Sequence, residues 1–418
     1  MRQLTASTLI QLPGLFQYLI MQNLSNPPCP AVRRVVFSAA CTALLIFAFH
    51  NGVHAQPAVK PVTAAEAPVA PAVTVDARAT ATAQVMAGVA PVPGDAVIDK
   101  LVATAEWKKH QDAMQLQWKS VRGRIDTIEK WRNQEIKLKD VAKRTLLYPF
   151  SGPDFINAWA LFPHHGQYLF FSLENPGRLP NLEKMGPKEF EAMLRDIRSA
   201  FTEIFQRNYF ITSYMGKQLT TPHLKGTIPI IATMMALNGM RIAKIQAVDP
   251  FPELTKAFEE PKAKRPGKLL RGAKVTFVTA ANKVHELSYF SLDATDKALL
   301  YYPDFLDWVG RNKPASALVK SASYLLHDNQ FSKTRDMLLA SADILVQDDT
   351  GIPYRYIKQG NWNAKLFGKY HKPIKPMEWG YQSDLDKAFR EAKSEPLPFP
   401  FGYHWKGQES GLILAVRP

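Results

Sequence analysis

LLYPFSGPDFINAWALFPHHGQYLFFSLE, residues 146–174, contains in order an apolar strand, a tight turn, a helix, a second apolar strand and an acidic residue. Pro153 suits the first turn of the helix, where a missing N–H costs no hydrogen bond, and Ser151 or Gly152 can cap it. A strand, a helix and a strand in this order are typical of parallel α/β sheets. The stretch therefore predicts an α/β fold with a Rossmann-like mixed sheet and flanking helices.

The turn after the first strand and the acid after the second are candidate ligand-binding positions. In such sheets this turn faces the ligand, and an acid about 20 residues further on can hold a ribose. Glu174 lies 22 residues after Gly152. Asp154 falls in the first turn of the helix, where the dipole favours a carboxylate. It is therefore either a pocket carboxylate or only a helix-start residue.

Residues 1–55 have the pattern of a signal peptide, whose true start is Met1 or Met21. Two arginines precede an apolar run over residues 35–49, and Val-His-Ala at 53–55 forms a small-x-small cleavage site. The run is shorter than the about 20 residues of a membrane span. The pattern predicts cleavage and export to the periplasm or the cell exterior, with an uncleaved membrane anchor as the alternative.

Cysteine content and charge limit the chemistry of the exported chain. Cys29 and Cys41 are the two cysteines, and both lie in the leader. A mature chain would therefore contain no disulfide, no thiolate nucleophile and no cysteine metal site. Its net charge would be +12, because the leader holds three arginines and no acid of a chain with +15. Such a charge attracts anionic surfaces, so an anionic envelope surface is a candidate partner, whereas no specific nucleic-acid motif is present.

Composition divides the rest of the chain into three parts. Residues 56–95 are rich in Ala, Pro and Val, which predicts a disordered linker. Residues 96–140 show apolar spacings of three, four and seven, which predict a long basic amphipathic helix. This helix either packs over the main domain or binds a partner or a membrane surface. Residues 141–418 are predicted to form the α/β domain, with a subdomain boundary in the Pro- and Lys-rich stretch 250–268.

Asp348 and Asp349 follow a short apolar strand, at the position where open α/β sheets place binding groups. Adjacent residues of an extended chain point to opposite sides, so at most one lines a given pocket, and the other caps the next turn or pairs with Arg355. With Asp154 or Glu174, one of them could complete an acid and base pair. Asp-Asp-Thr-Gly is also common in turns, and a structural turn is the alternative.

Lys320 begins a polar series that accompanies another apolar stretch. Ser321 and Ser323 follow it, and a serine with a lysine could act as nucleophile and base. Neither serine has the Gly-x-Ser-x-Gly surroundings of a nucleophile elbow, so Lys320 is instead a candidate ligand-binding residue. The histidines are too few and too irregularly spaced to predict a metal site.

Two motifs carry a resemblance to a known family. YPFSGPDF at 148–155 and QDDTGIPYRY at 347–356 resemble motifs of a family of exported bacterial proteins of unknown function. The similarity covers most of the chain from Trp107 onward and implies neither an activity nor a cofactor. The opening unit is also similar to the first two strands of class I methyltransferases, which implies a Rossmann-like fold. Those enzymes usually have a Gly-x-Gly turn, and Ser151-Gly152-Pro153 departs from it, which weakens the case for the same chemistry.

The leading hypothesis is an extracytoplasmic protein that binds a small polar or anionic ligand, or an interaction partner, at a Rossmann-like pocket. The alternatives are a hydrolase or transferase with paired carboxylates and a structural protein of the cell envelope. The candidate ligand-binding residues are Ser151, Gly152, Glu174, Lys320 and Arg355. The candidate catalytic residues are Asp154, Asp348 and Asp349. The sequence leaves the cofactor and the oligomeric state open.

Overall fold

The computed structural model describes residues 73–209, 219–247, 271–311, 315–404 and 410–418. The predicted signal peptide, the first part of the predicted linker and the predicted boundary at 250–268 lie outside these ranges. Thr74 to Pro418 belong to one compact unit. In the described part of the chain, no helix has both the length and the apolar character needed to cross a membrane.

A nine-stranded mixed sheet has the strand order β3-β4-β5-β2-β1-β6-β7-β9-β8. The strands are β1 (Thr145–Pro149), β2 (Gln167–Ser172), β3 (Arg241–Ala247), β4 (Arg271–Val278), β5 (Val284–Ser291), β6 (Ala315–Val319), β7 (Ala342–Gln347), β8 (Asn363–Gly368) and β9 (Gly411–Val416). Strands β5, β2, β1, β6 and β7 pair in parallel. The outer pairs are antiparallel. The predicted Rossmann-like mixed sheet is confirmed.

Helices flank this sheet. They are α1 (Ala77–Ala87), α2 (Ala96–Val102), α3 (Ala105–Glu135), α4 (Phe155–Leu161), α5 (Pro187–Arg207), α6 (Ile228–Leu237), α7 (Asp296–Leu299), α8 (Pro303–Arg311), α9 (Ser332–Ser341), α10 (Tyr354–Gln359) and α11 (Ser383–Glu391). Short 3-10 turns lie at Val141–Lys143, Leu182–Lys184, Leu325–His327, Asn329–Phe331 and Lys375–Gly380.

The central strands have core on both faces. Every residue of β1 and of β6 is buried. Leu146 and Tyr148 pack into the layer that contains α3, whereas Leu147 packs into the opposite layer. Successive side chains of a strand alternate between faces, and parallel strands covered on both faces are apolar almost throughout. This burial explains why LLYP is continuously apolar rather than alternating.

The prediction of a disordered linker over 56–95 is corrected by the structure, because its described part, residues 73–95, contains the helix α1. Asp76 caps α1 through a hydrogen bond from the backbone N–H of Ala79. The Thr80 hydroxyl donates to the Ile242 carbonyl and accepts from the Ile242 N–H, which ties α1 to β3. Alanine-rich sequence has high helix propensity, and its small side chains allow close packing once a core is available. Composition alone did not reveal that core.

The prediction of a single long helix over 96–140 is also corrected by the structure, because two helices, α2 and α3, lie in this range. The side chain of Thr104 accepts a hydrogen bond from the Trp107 N–H, which caps α3 and separates it from α2. One stripe of α3 is buried against the domain, as predicted for a packing helix. Its buried apolar residues are Trp107, Met114, Val121, Ile125, Ile128 and Trp131.

The direction in which the chain adds strands to the sheet reverses at β1, and the candidate site lies at this point. The chain passes from β1 to β2 on one side, and β6 lies on the other side. In open α/β sheets, ligands bind outside the carboxyl ends of the strands at such a switch point. The loops after β1, β6 and β7 all leave this edge, because the three strands are parallel. β3 and β4, on either side of residues 248–270, pair with each other in the same sheet.

Candidate functional site

A buried ion pair joins the loop after β1 to the loop after β6. The Lys320 Nζ atom donates to Asp154 Oδ2 over 2.8 Å, and both side chains are almost completely buried. Lys320 is the first residue after β6, and Asp154 is the cap residue of α4, whose Oδ1 accepts from the Asn157 N–H. The two residues predicted from separate motifs therefore meet at the strand switch point. Asp154 is both a helix cap and a member of the cluster.

Two further donors hold the Asp154 carboxylate. The Tyr148 hydroxyl donates to Oδ2 over 2.8 Å. The Asn157 Nδ2 atom lies 2.8 Å from Oδ1 and 3.0 Å from Oδ2. Burial, together with the charge of Asp154, raises the pKa of Tyr148 well above its ordinary value, so this hydroxyl stays a donor. Asp154 is therefore a fixed charge with its oxygens engaged by the protein.

Arg124 is a basic residue that the sequence did not single out and whose pKa responds to the charge of Asp154. It lies on α3, and the charge of Asp154 is near enough to raise its pKa, although burial lowers the pKa to about 10. The Nε atom is buried and has no hydrogen-bond partner among the described residues. Arg124 falls three residues after Val121 and four before Ile128, on the buried stripe of α3. A basic residue on an apolar stripe was the signal that could have identified it.

Ser151 and Gly152 form the turn between β1 and α4. Gly152 has φ of 49°, in the left-handed region that favours glycine. Ser151 is 3% exposed, and its Oγ atom has no hydrogen-bond partner among the described residues. Asn157 Oδ1 also has none, because the amide nitrogen of Asn157 faces Asp154. The turn and the first turn of α4 therefore each contribute one buried polar atom without a hydrogen-bond partner among the described residues.

Asp348 links the loop after β7 to the loop after β6. Its Oδ2 accepts from the Ser321 N–H over 2.9 Å. Its Oδ1 accepts from the Thr350 N–H over 3.0 Å and from the Thr350 hydroxyl over 2.5 Å. Burial, with a contribution from Asp349, raises the pKa of Asp348. The carboxylate caps the turn at Thr350, which is the structural role that the sequence left open.

Asp349 faces other partners than Asp348, in agreement with the alternation of side chains on an extended chain. Its Oδ2 accepts from the Tyr324 hydroxyl, and its carbonyl accepts from Gln382 Nε2 over 2.8 Å. Burial raises its pKa, and the bond from Tyr324 opposes this rise. Tyr324 has φ of 57°, a strained conformation for a bulky residue. Asp349 is only partly buried, unlike Asp348.

Glu174 and Arg355 have partners outside this cluster. Glu174 follows β2, and its carboxylate accepts from the Ser172 hydroxyl over 2.7 Å. The Arg355 guanidinium lies 4.9 Å from the centre of the Tyr356 ring on α10. The structure thus brings together Ser151, Gly152, Asp154 and Lys320. It places Asp348 beside Lys320 through Ser321.

Cationic and acidic side chains both contribute to this cluster. Lys320 pairs with Asp154, and the charge of Asp154 also acts on Arg124, whereas the oxygens of Asp348 accept from the neutral donors of Ser321 and Thr350. Among the described residues, no group of three or more His, Cys, Asp or Glu side chains could hold a metal ion. The arrangement suits polar recognition by donors more than it suits metal binding.

Comparison with protein-family models and with curated proteins finds no match for this chain. The resemblance of the two motifs to exported bacterial proteins therefore stays a prediction.

Proposed function

We propose that this chain is an extracytoplasmic protein that binds a small polar ligand at the carboxyl ends of β1 and β6. The observation that carries the proposal is the meeting of Ser151, Asp154 and Lys320 at the strand switch point, with the Ser151 hydroxyl buried and unpartnered among the described residues. Buried polar groups are nearly always hydrogen-bonded, so an unused one at a switch point favours a ligand site. Export rests on the signal-peptide pattern of residues 1–55.

The hydrogen bonds that Asp154 and Asp348 accept favour ligand binding over catalysis. Asp154 accepts from Lys320, Tyr148 and Asn157, and Asp348 accepts from Ser321 and Thr350. A general base needs a lone pair directed at the proton that it removes. These carboxylates direct their oxygens to protein donors, which supports a role in shaping the site.

The experiment is a thermal-shift screen of the purified protein against organic acids, amino acids, sugars, sugar acids and nucleotides. A ligand that binds the folded state raises the melting temperature. Ser151→Ala removes a hydroxyl that no described residue uses, so it should leave the ligand-free melting temperature unchanged and reduce the shift. Ser120→Ala, at an exposed position on α3, is the matched control. An equal shift in all three proteins, or no shift with any compound, would contradict the proposal.

A second candidate function is a hydrolase or transferase that uses Asp349. Its raised pKa, its partial exposure and its bond to Tyr324 suit a general acid. Asp349→Asn removes this acid while keeping a group that can accept from Tyr324. Hydrolysis of a substrate found in the screen should then fall strongly at unchanged stability. Undiminished turnover would exclude Asp349 from the reaction.

A further inference from the structure

A second cleft lies between the segment that follows β2 and a short hairpin that precedes α6. One wall consists of residues between 178 and 185, and the other of residues between 222 and 225. The volume of the cleft is about 420 Å³, within the range of about 300–1,000 Å³ that is typical of small-molecule sites. We call it the cationic cleft. None of its described lining residues belongs to the candidate site around Asp154.

Backbone contacts fix the two walls of the cationic cleft against each other. The Ile228 N–H donates to the Pro176 carbonyl over 2.9 Å. Gly177 and Gly226 have φ of +66° and +82°, and a Cβ atom at either glycine would overlap the backbone of the other segment. The shape of the cleft is therefore set by the backbone and not only by flexible side chains.

The described lining of the cleft is basic. Arg178, Lys184 and Lys225 line it together with the imidazole of His223, and no described residue of the lining is an Asp or a Glu. None of the three cations has an ion pair with a described residue. Charges of one sign around a cleft add up to a potential that concentrates ions of the opposite sign. The cleft therefore attracts an anion.

A neighbouring cleft of about 370 Å³ has the opposite charge balance, although it shares residues 179–181 with the cationic cleft. Arg78 is the one cation of its described lining. This arginine pairs with Asp95 over 2.6 Å and also with Glu183. The fold thus neutralises the cation of one cleft with its own acids, whereas the described part of the chain supplies no acid to the cations of the other.

The lining also limits the class of anion. Three cations match an anion with more than one negative charge, and a phosphate monoester carries about −1.5 to −2 at pH 7, whereas a carboxylate carries a single charge. The half-buried Leu179, Pro180 and Met185 add apolar surface beside the charges. Such surface can hold the uncharged body to which a phosphoryl group is attached.

We propose that the cationic cleft binds a phosphate monoester. Arg178, Lys184 and Lys225 supply the charge that holds the phosphoryl group, and the organic body lies on the apolar surface. The monoester is either a free small molecule or the headgroup of a phospholipid, because both present the same group. The inference goes beyond the proposed function, since it assigns a second site that has no residue in common with the first.

The test measures binding by titration calorimetry with phenyl phosphate as the probe. Phenol is the same body without the phosphoryl group, inorganic phosphate is the group without the body, and benzoate carries a carboxylate in its place. We expect phenyl phosphate to bind more tightly than inorganic phosphate or benzoate, and phenol not to bind. The affinity should fall as the salt concentration rises, because exposed charges are screened.

Three substitutions test the cations of the cleft: Arg178→Gln, Lys184→Gln and Lys225→Gln. Each removes one exposed charge and should weaken the binding of phenyl phosphate by about 2- to 5-fold. The triple variant should weaken it by about 10- to 100-fold if the three contributions add. The melting temperature without ligand should stay unchanged, because the three side chains are exposed and lose no ion pair with a described residue.

Two controls separate the cleft from the charge of the whole protein. The triple variant Lys108→Gln, Lys109→Gln, Lys119→Gln removes the same charge from exposed positions on α3. Arg78→Gln removes the cation of the neighbouring cleft. Both proteins should bind phenyl phosphate as tightly as wild type does.

Vesicles distinguish the two sources of the monoester. Phosphatidic acid presents a phosphate monoester, whereas phosphatidylglycerol presents a diester. Displacement of phenyl phosphate by vesicles with phosphatidic acid, but not by vesicles with phosphatidylglycerol, would support the inference with a lipid headgroup as the ligand. Displacement by neither, with phenyl phosphate bound, would support it with a free monoester. Equal displacement by both would show attraction to membrane charge alone and would overturn the monoester.

The remaining outcomes overturn the inference. They are no binding of phenyl phosphate, equal binding to wild type and the cleft triple variant, and an equal loss in the α3 triple variant. Equal affinity for phenol or benzoate would overturn the phosphoryl group as the recognised part. None of these results bears on the site around Asp154, so the failure of this inference and that of the proposed function are distinguishable.

Discussion

Lys320 Nζ lies 2.8 Å from Asp154 Oδ2, and this pair connects the loops that follow β1 and β6. A buried pair of opposite charges is costly to break because each partner loses compensation when the other is removed. The pair therefore fixes the geometry of the switch point whatever binds there.

We expect Lys320→Met to lower the free energy of unfolding by about 3–5 kcal/mol, because it leaves the Asp154 carboxylate buried without its cation. Urea denaturation measures this loss. Arg195→Met breaks the exposed pair with Glu191 and should cost at most about 1 kcal/mol. Equal losses in the two variants would show that Asp154 and Lys320 do not form the buried pair.

Asp348→Ala tests the structural role of this acid. The change leaves the backbone N–H groups of Ser321 and Thr350 buried without their acceptor, at a cost of about 1–3 kcal/mol for each group. Thermal and urea unfolding should both show the loss. Asp336→Ala, at an exposed position of α9, is the control and should have little effect. Unchanged stability of Asp348→Ala would remove the capping role and strengthen the case for chemistry at Asp348.

Gly402 contacts Asp348 so closely that it should not tolerate a side chain. A Cβ atom there would lie 2.1 Å from Asp348 Oδ2, and the residue has φ of +69°. Gly402→Ala should therefore destabilise the protein by about 1–3 kcal/mol from backbone strain alone, with the clash in addition. Gly310→Ala on α8 meets no atom within 4 Å and should be neutral or stabilising. A neutral Gly402→Ala would contradict the position of Asp348.

His110 should make the protein lose stability in acid. Its Nε2 donates to the Met86 carbonyl over 2.8 Å, its Nδ1 accepts from Arg198, and burial lowers its pKa to about 4. The folded pKa is depressed, so this stabilisation is present above the unfolded pKa of about 6.5 and is lost as the pH falls towards 4. The loss amounts to about 3 kcal/mol.

The free energy of unfolding is measured at about pH 7, about pH 5.5 and about pH 4 for wild type and for His110→Gln. The difference between the two proteins at each pH isolates the contribution of His110 from that of the other buried histidines. Wild type should lose more stability than the variant on acidification. Parallel pH profiles for the two proteins would show that His110 does not titrate as a buried neutral group.

Local patterns were sufficient for much of the fold. The strand, turn and helix of residues 146–161 were predictable because apolar runs and turn residues act within a few residues. The start of the helix was predicted too early: Asp154 caps it in place of Ser151 or Gly152, and Pro153 precedes the cap and does not lie in the first helical turn. The helix α1 was not, because it is ordered by packing on β3, which lies far away in sequence. Asp348 was located at its strand end, yet its partner Ser321 belongs to another loop.

Arg124 shows why the site was only partly predictable. Asp154 and Lys320 could be predicted from their positions after apolar strands. Arg124, in contrast, lies in a helix with many other basic residues. What distinguishes it is its position on the apolar stripe, together with the lack of a partner among the described residues. The first can be read from the sequence, and the second requires the three-dimensional arrangement.

The most direct test of the ligand site is an experimental structure of the protein crystallised with the compound that gives the largest thermal shift. We predict density larger than one water within hydrogen-bond distance of Ser151 Oγ, at the carboxyl ends of β1 and β6. A single water at this place would contradict the proposed ligand site.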